Sequence, residues 1–146
     1  MMQKKVQIIS DGSLDLSQEL TKEKDIEVVP FYVSFDSETY QKEMVEVGVR
    51  EFYQEMVDHP TVFPKTSMPS VHDYYEVFEK HAKEQLPVIC ICITRKFSGS
   101  LQSATTAKDM ILEEYPDAQI TVIDSTVNTV LQGLYVLEAC RLRDMG

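Results

Sequence analysis

The run Pro87-Val88-Ile89-Cys90-Ile91-Cys92-Ile93-Thr94 is apolar at almost every position. A strand with one wet face alternates apolar and polar residues, so a strand without alternation must be covered on both sides. In a chain of 146 residues, long enough for one domain with its own core, this predicts a mainly parallel sheet between helices. The flanking segments fit. VQIIS at residues 6–10 and QITVIDS at residues 119–125 read as two further strands, and IEVVPFYVSF at residues 26–35 as another. Pro30 cannot donate to a ladder, which places that last strand at an edge or at a bulge.

Helical periodicity fills the gaps between these strands. Apolar residues at positions 49, 52, 53, 56 and 57 make a stripe on one helix. Val71, Tyr74, Tyr75, Phe78 and Ala82 make a face on a second, which Ser70 and Asp73 start as a capping box. Leu101, Ala104, Ala107, Met110 and Ile111 point a third helix inward. Val130, Leu131, Leu134, Leu137 and Ala139 do the same for a fourth over residues 128–143. Ser13 or Asp15 is placed to cap a short helix through Leu16 and Leu20. Residues 36–47 read as a polar, partly extended excursion, and TVFPKTSMPS at residues 61–70, with its two prolines, as a loop. The class is α/β with three layers, a mainly parallel sheet carrying helices on both faces.

Composition excludes several functions. The net charge of −10, with basic residues scattered among acidic ones, offers neither the basic stripe of a nucleic-acid binder nor a patch for anionic membrane. No apolar stretch approaches the length that crosses a bilayer, so stable membrane insertion is not expected. MMQKK runs directly into VQIIS, too short for a signal h-region, and the expected location is cytoplasmic. Cys90, Cys92 and Cys140 are odd in number and lack CxxC spacing; they read as small core residues, the first two on one face of a strand.

Polar residues gather where the strands end: Ser10-Asp11-Gly12-Ser13, Ser98-Gly99-Ser100 and Asp124-Ser125-Thr126. Ligands of open parallel sheets sit outside the carboxyl ends of the strands, so these groups share one edge. Lys65-Thr66-Ser67-Met68-Pro69-Ser70 precedes a helix and can reach the same edge. Gly99 permits close backbone approach, and unpaired amides of a helix start, with serine hydroxyls added, suit a carboxylate or phosphate. The same serines would also serve as plain N-caps, worth about 1 kcal/mol. Lys96-Phe97-Ser98-Gly99-Ser100 is not GxSxG, and neither GxxxxGK nor GxGxxG occurs. No catalytic residue, cofactor or metal is assigned. His59, His72 and His81 read as ordinary helix residues, and Asp11 and Asp15 as caps and turn residues. An enzyme acting on a small phosphorylated or carboxylated metabolite, with Asp11 or Asp124 as base or metal ligand, is the rival reading.

Taken in order, SDGSLDLS, VVPFYVSFDSETYQ, KTSMPS, CITRKFSGSLQSA and VIDST resemble the DegV family of bacterial fatty-acid-binding proteins, over nearly the whole chain. The resemblance implies that residues 1–146 are the family's N-terminal α/β domain, that the partner is a long-chain fatty acid, and that the protein is not an enzyme. It implies that Thr66 and Ser98 bind the carboxylate, with Ser67, Gly99 and Ser100 in support. It also implies that an ATP-dependent fatty-acid kinase subunit can phosphorylate the presented acid for phospholipid synthesis. Ser125–Gly133 is less glycine-rich than the family's usual loop there. The family's second domain is absent from this chain, so an incomplete lipid site with open tail-lining surface, inviting self-association, is expected.

Overall fold

A computed structural model of the chain describes residues 6–146. Strands β1 (Gln7–Asp11), β2 (Ile26–Val29), β6 (Val88–Cys92) and β7 (Ile120–Asp124) form a parallel sheet in the order β2-β1-β6-β7. A second, antiparallel sheet of β3 (Tyr32–Ser34), β4 (Gln41–Lys42) and β5 (Lys65–Ser67) has the order β4-β3-β5. The helices are α1 (Gln18–Glu23), α2 (Val49–Asp58), α3 (Val71–Lys83), α4 (Ser100–Glu114) and α5 (Thr129–Met145), with a 3-10 turn at Gly12–Leu14.

The expected three layers form, and the reason lies in the central strands. On β6, Cys90 and Cys92 face α3 and α4, joining Tyr74, Phe78, Ala104, Ala107 and Ile111 in one core. Ile91 faces the other way and meets Leu14, Val136 and Cys140 beneath α5. All three cysteines are buried and free, as their apolar setting requires.

Five expectations are corrected. Residues 26–35 are two strands, not one: Pro30 ends the ladder at Val29, and Tyr32–Ser34 crosses to the second sheet. Lys65–Ser67 is a strand rather than loop, because β3 offers it an unpaired edge. The N-cap of α1 is Ser17, whose Oγ accepts the Leu20 N–H at 3.2 Å; Asp15, at φ 54°, instead ends the 3-10 turn. On α5 the buried residues are Gln132, Gly133, Val136 and Cys140; Leu137 and Ala139 pack against that core as expected, while Val130, Leu131 and Leu134 are exposed. Met110 of α4 is also exposed. The α3 reading holds in detail: Ser70 Oγ accepts the Asp73 N–H at 3.1 Å, and Asp73 Oδ2 accepts the Ser70 N–H at 2.8 Å.

Candidate functional site

The chain leaves β1 toward β2 on one side and returns to β6 on the other, so the strand order reverses between β1 and β6. That switch point is where a parallel sheet opens a crevice at its carboxyl end. Asp11 closes it from inside. Its Oδ2 accepts the Ile93 N–H at 2.9 Å and the Ser100 hydroxyl at 2.8 Å. Its Oδ1 accepts the Gln132 side-chain N–H at 2.9 Å and the Ser13 N–H at 3.2 Å. Burial pushes the Asp11 carboxyl above its ordinary value, and these donors pull against that.

The hub continues outward. Gln132 also donates to Ser10 Oγ at 3.1 Å, and its Oε1 is buried without a partner among the described residues. Tyr74 Oη lies 2.6 Å from Ser100 Oγ. Because Ser100 gives its single proton to Asp11, Tyr74 is the donor in that contact. Burial holds the Tyr74 phenol well above its ordinary value, which keeps that proton in place. Sequence reasoning weighed Asp11 as a turn residue and did not find Gln132, whose buried amide breaks no pattern on an apolar helix.

The Ser98-Gly99-Ser100 turn is therefore divided in function. Ser100 is fully buried and its hydroxyl is committed to Asp11. Ser98 is half-buried, and its Oγ accepts the Ser100 N–H at 3.1 Å. The N-cap of α4 is Gly99, which makes no side-chain cap bond, so neither serine caps the helix as the alternative had it; the Ser98 bond is a local turn contact that leaves the Ser98 proton free for an acceptor. Gly99 is exposed and pressed by Met68: a Cβ there would lie 2.6 Å from the Met68 sulfur. The segment that follows β5, with Thr66 and Ser67 just before it, thus packs on the serine turn through Met68.

Thr66 and Ser67 are exposed on β5, held by pairing of Thr66 with Val33 and Ser67 with Tyr32. Thr66 also lines a groove of about 710 Å³, within the usual size of small-molecule pockets. Its walls are largely apolar: Leu14, Ile26, Val28, Val47 and Phe52 contribute, from the 3-10 turn, β2, the β4 hairpin and α2. No residue of α2 is buried, so the stripe read from the sequence faces the groove and solvent rather than a core. Ser98 is outside the groove wall. Glu43 is on it, half-buried; burial pushes its carboxyl up, the Phe31 N–H at 3.1 Å draws it down, and Asp11 and Asp15 push it up.

The carboxylates and histidines weighed from the sequence have structural partners. Asp11 is sealed, Asp15 ends a turn, and Asp124 accepts the Thr126 N–H at 2.9 Å beside Arg95 at 3.7 Å. His59 and His72 pair with Glu55 and Glu76 on their own helices; His81 is buried 2.6 Å from Glu27. Among the described residues no group of three or more His, Cys, Asp or Glu is arranged to hold a metal ion. Among them, too, no helix is long and apolar enough to cross a membrane.

Comparison with known proteins agrees with this architecture. The family model described as "Uncharacterised protein, DegV family" matches residues 5–146. A DegV domain-containing protein of Clostridium acetobutylicum is 35% identical over 97% of this chain and 49% of its own length. The crystal structure of a stearic-acid-binding protein from Eubacterium ventriosum has a TM-score of 0.94 and 48% identity, covering 97% of this chain and 48% of that one. A DegV family protein from Thermus thermophilus, described by its fatty-acid binding, has a TM-score of 0.79 and 30% identity, covering 97% of this chain and 48% of that one. The chain spans about half the length of the curated relatives it matches. Sharing their sheet, their helices and the family's ordered motifs from residue 5 to its end, this chain belongs to the DegV family.

Proposed function

We propose that this chain binds a long-chain fatty acid, with Thr66 and Ser98 gripping the carboxylate and the acyl tail lying in the apolar groove. The observation that carries this reading is Thr66 itself. It stands on the wall of a groove of about 710 Å³ whose other lining is mostly hydrocarbon, and Met68, just past the end of its strand, packs on Gly99 of the Ser98 turn. Ser67 and Gly99 support the grip as flanking backbone; Ser100 supports it from within. The relatives from Eubacterium ventriosum and Thermus thermophilus, named for stearic acid and fatty acid, favour the same ligand class.

The energetics divide the labour. Each buried CH₂ contributes roughly 0.8 kcal/mol, so a long tail dominates affinity. A charge-assisted hydroxyl bond adds about 1.5–3 kcal/mol and fixes which end of the ligand faces out. A grip made of alcohols, without a salt bridge, leaves the acid open to a separate ATP-dependent kinase subunit; the chain presents the acid and does no chemistry on it. In this reading the chain corresponds to the N-terminal domain of its longer relatives and works in the cytoplasm.

The test is titration of the chain with stearate, comparing wild type with Thr66→Val and Ser98→Ala combined. Two lost charge-assisted bonds should weaken binding by at least about tenfold with the circular dichroism unchanged. Unaltered affinity in the double variant, or no stearate binding by the wild type, overturns the reading.

A further inference from the structure

Both ends of the segment that carries Ser98 converge on one atom. Ile93, where the chain leaves β6, donates its N–H to Asp11 Oδ2 at 2.9 Å, and Ser100, where α4 begins, donates its hydroxyl to the same oxygen at 2.8 Å. The other oxygen is held by Gln132 of α5 and by Ser13 of the 3-10 turn. The carboxylate therefore closes the loop from Ile93 to Ser100 and fastens it to β1 and to the opposite helical layer.

Resting on the reading that Ser98 grips a carboxylate, we propose that Asp11 is the positioning residue of that grip. The side chain is fully buried, so it does not touch the ligand. It acts through Ser100. Held inward by Asp11, Ser100 aims its backbone N–H at Ser98 Oγ, at 3.1 Å. That occupies a lone pair of the Ser98 hydroxyl and leaves its proton to donate, the role a ligand carboxylate demands. Position 11 must be an acceptor on both oxygens, because all four of its partners are uncharged donors. Only an ionised carboxylate meets that requirement; an asparagine would turn an N–H toward another N–H or O–H.

The experiment uses two probes with one tail: stearate, and its methyl ester, which lacks the charged head. Wild type should prefer the acid. Asp11→Asn should reduce that preference by about tenfold or more, the scale of one charge-assisted bond, while affinity for the ester stays within about twofold. If Asp11→Asn weakens acid and ester alike, or keeps the full preference, the positioning role is wrong. Should Asp11→Asn fail to fold, Ser100→Ala decides the matter. It removes the handle on the turn and leaves the other donors to Asp11 in place. Selective loss of the acid preference supports the proposal, and an intact preference overturns it. A wild type that binds the ester as tightly as the acid, or binds neither, is a different pattern: it removes the carboxylate grip itself, and this proposal with it.

Discussion

Gly133 of α5 is buried against the turn that follows β1. A Cβ placed there would run into the Leu14 carbonyl oxygen and lie 2.9 Å from Leu16 Cδ2. Two effects of opposite sign meet in Gly133→Ala. Alanine favours a helix interior over glycine by about 1 kcal/mol, partly by restricting the unfolded chain. Against this, overpacking costs about 1–3 kcal/mol. The upper part of that range applies, since the nearest atom is backbone and cannot rotate away. The net expectation is a loss of about 1–2 kcal/mol, and at roughly 2–4 °C per kcal/mol for a domain near this size the Tm falls by roughly 2–8 °C. Thermal and urea unfolding followed by circular dichroism measure it. A Tm equal to or above wild type would mean that helix propensity wins, and that α5 does not press on the 3-10 turn as described.

Two further outcomes test the scaffold. Ser70→Ala removes the cap of α3 and should cost about 1 kcal/mol in urea unfolding; no change would mean that water replaces the Ser70 contact to Asp73. Glu27 of β2 holds α3 to the sheet through His81 at 2.6 Å and Lys80 at 3.4 Å. Burial pushes its carboxyl up, but His81 and then Lys80 outweigh that and hold it below the ordinary 4.5. A depressed carboxyl stabilises fully above its unfolded value and loses that contribution as the pH falls through the folded one. Glu27→Gln should therefore unfold at lower urea than wild type at neutral pH, with the gap closing below about pH 4.5. A gap that stays constant down to about pH 3 contradicts the ion pair.

Much of the architecture was written locally. The unbroken apolar run ending at Ile93 demanded cover on both faces, and Tyr74 and Phe78 sit in one core because helical spacing puts them on one side. Ser70 and Asp73 cap α3 because only neighbours along the chain are involved. The site was less legible. Thr66 and Ser98 were named from their motifs, but the strand that presents Thr66 exists only because β3 lends an edge, and an exposed three-residue strand has no periodicity of its own. On α5 the apolar residues at 130, 131 and 134 outvoted Gln132, whose burial depends on a carboxylate 121 positions earlier.

What the sequence by itself determined, then, is the layered α/β class, most of the helices and strands, the burial of the cysteines and the identity of the hydroxyl-bearing loops. These follow from side-chain polarity and spacing, which act over a few residues. Only the tertiary structure decided that one carboxylate oxygen of Asp11 gathers Ile93 and Ser100, that Met68 joins the Thr66 strand to Gly99, and that the α2 stripe faces a groove. Those are meetings between segments far apart in the chain. Hydrogen bonds and close packing select them only once the sheet has brought the segments together.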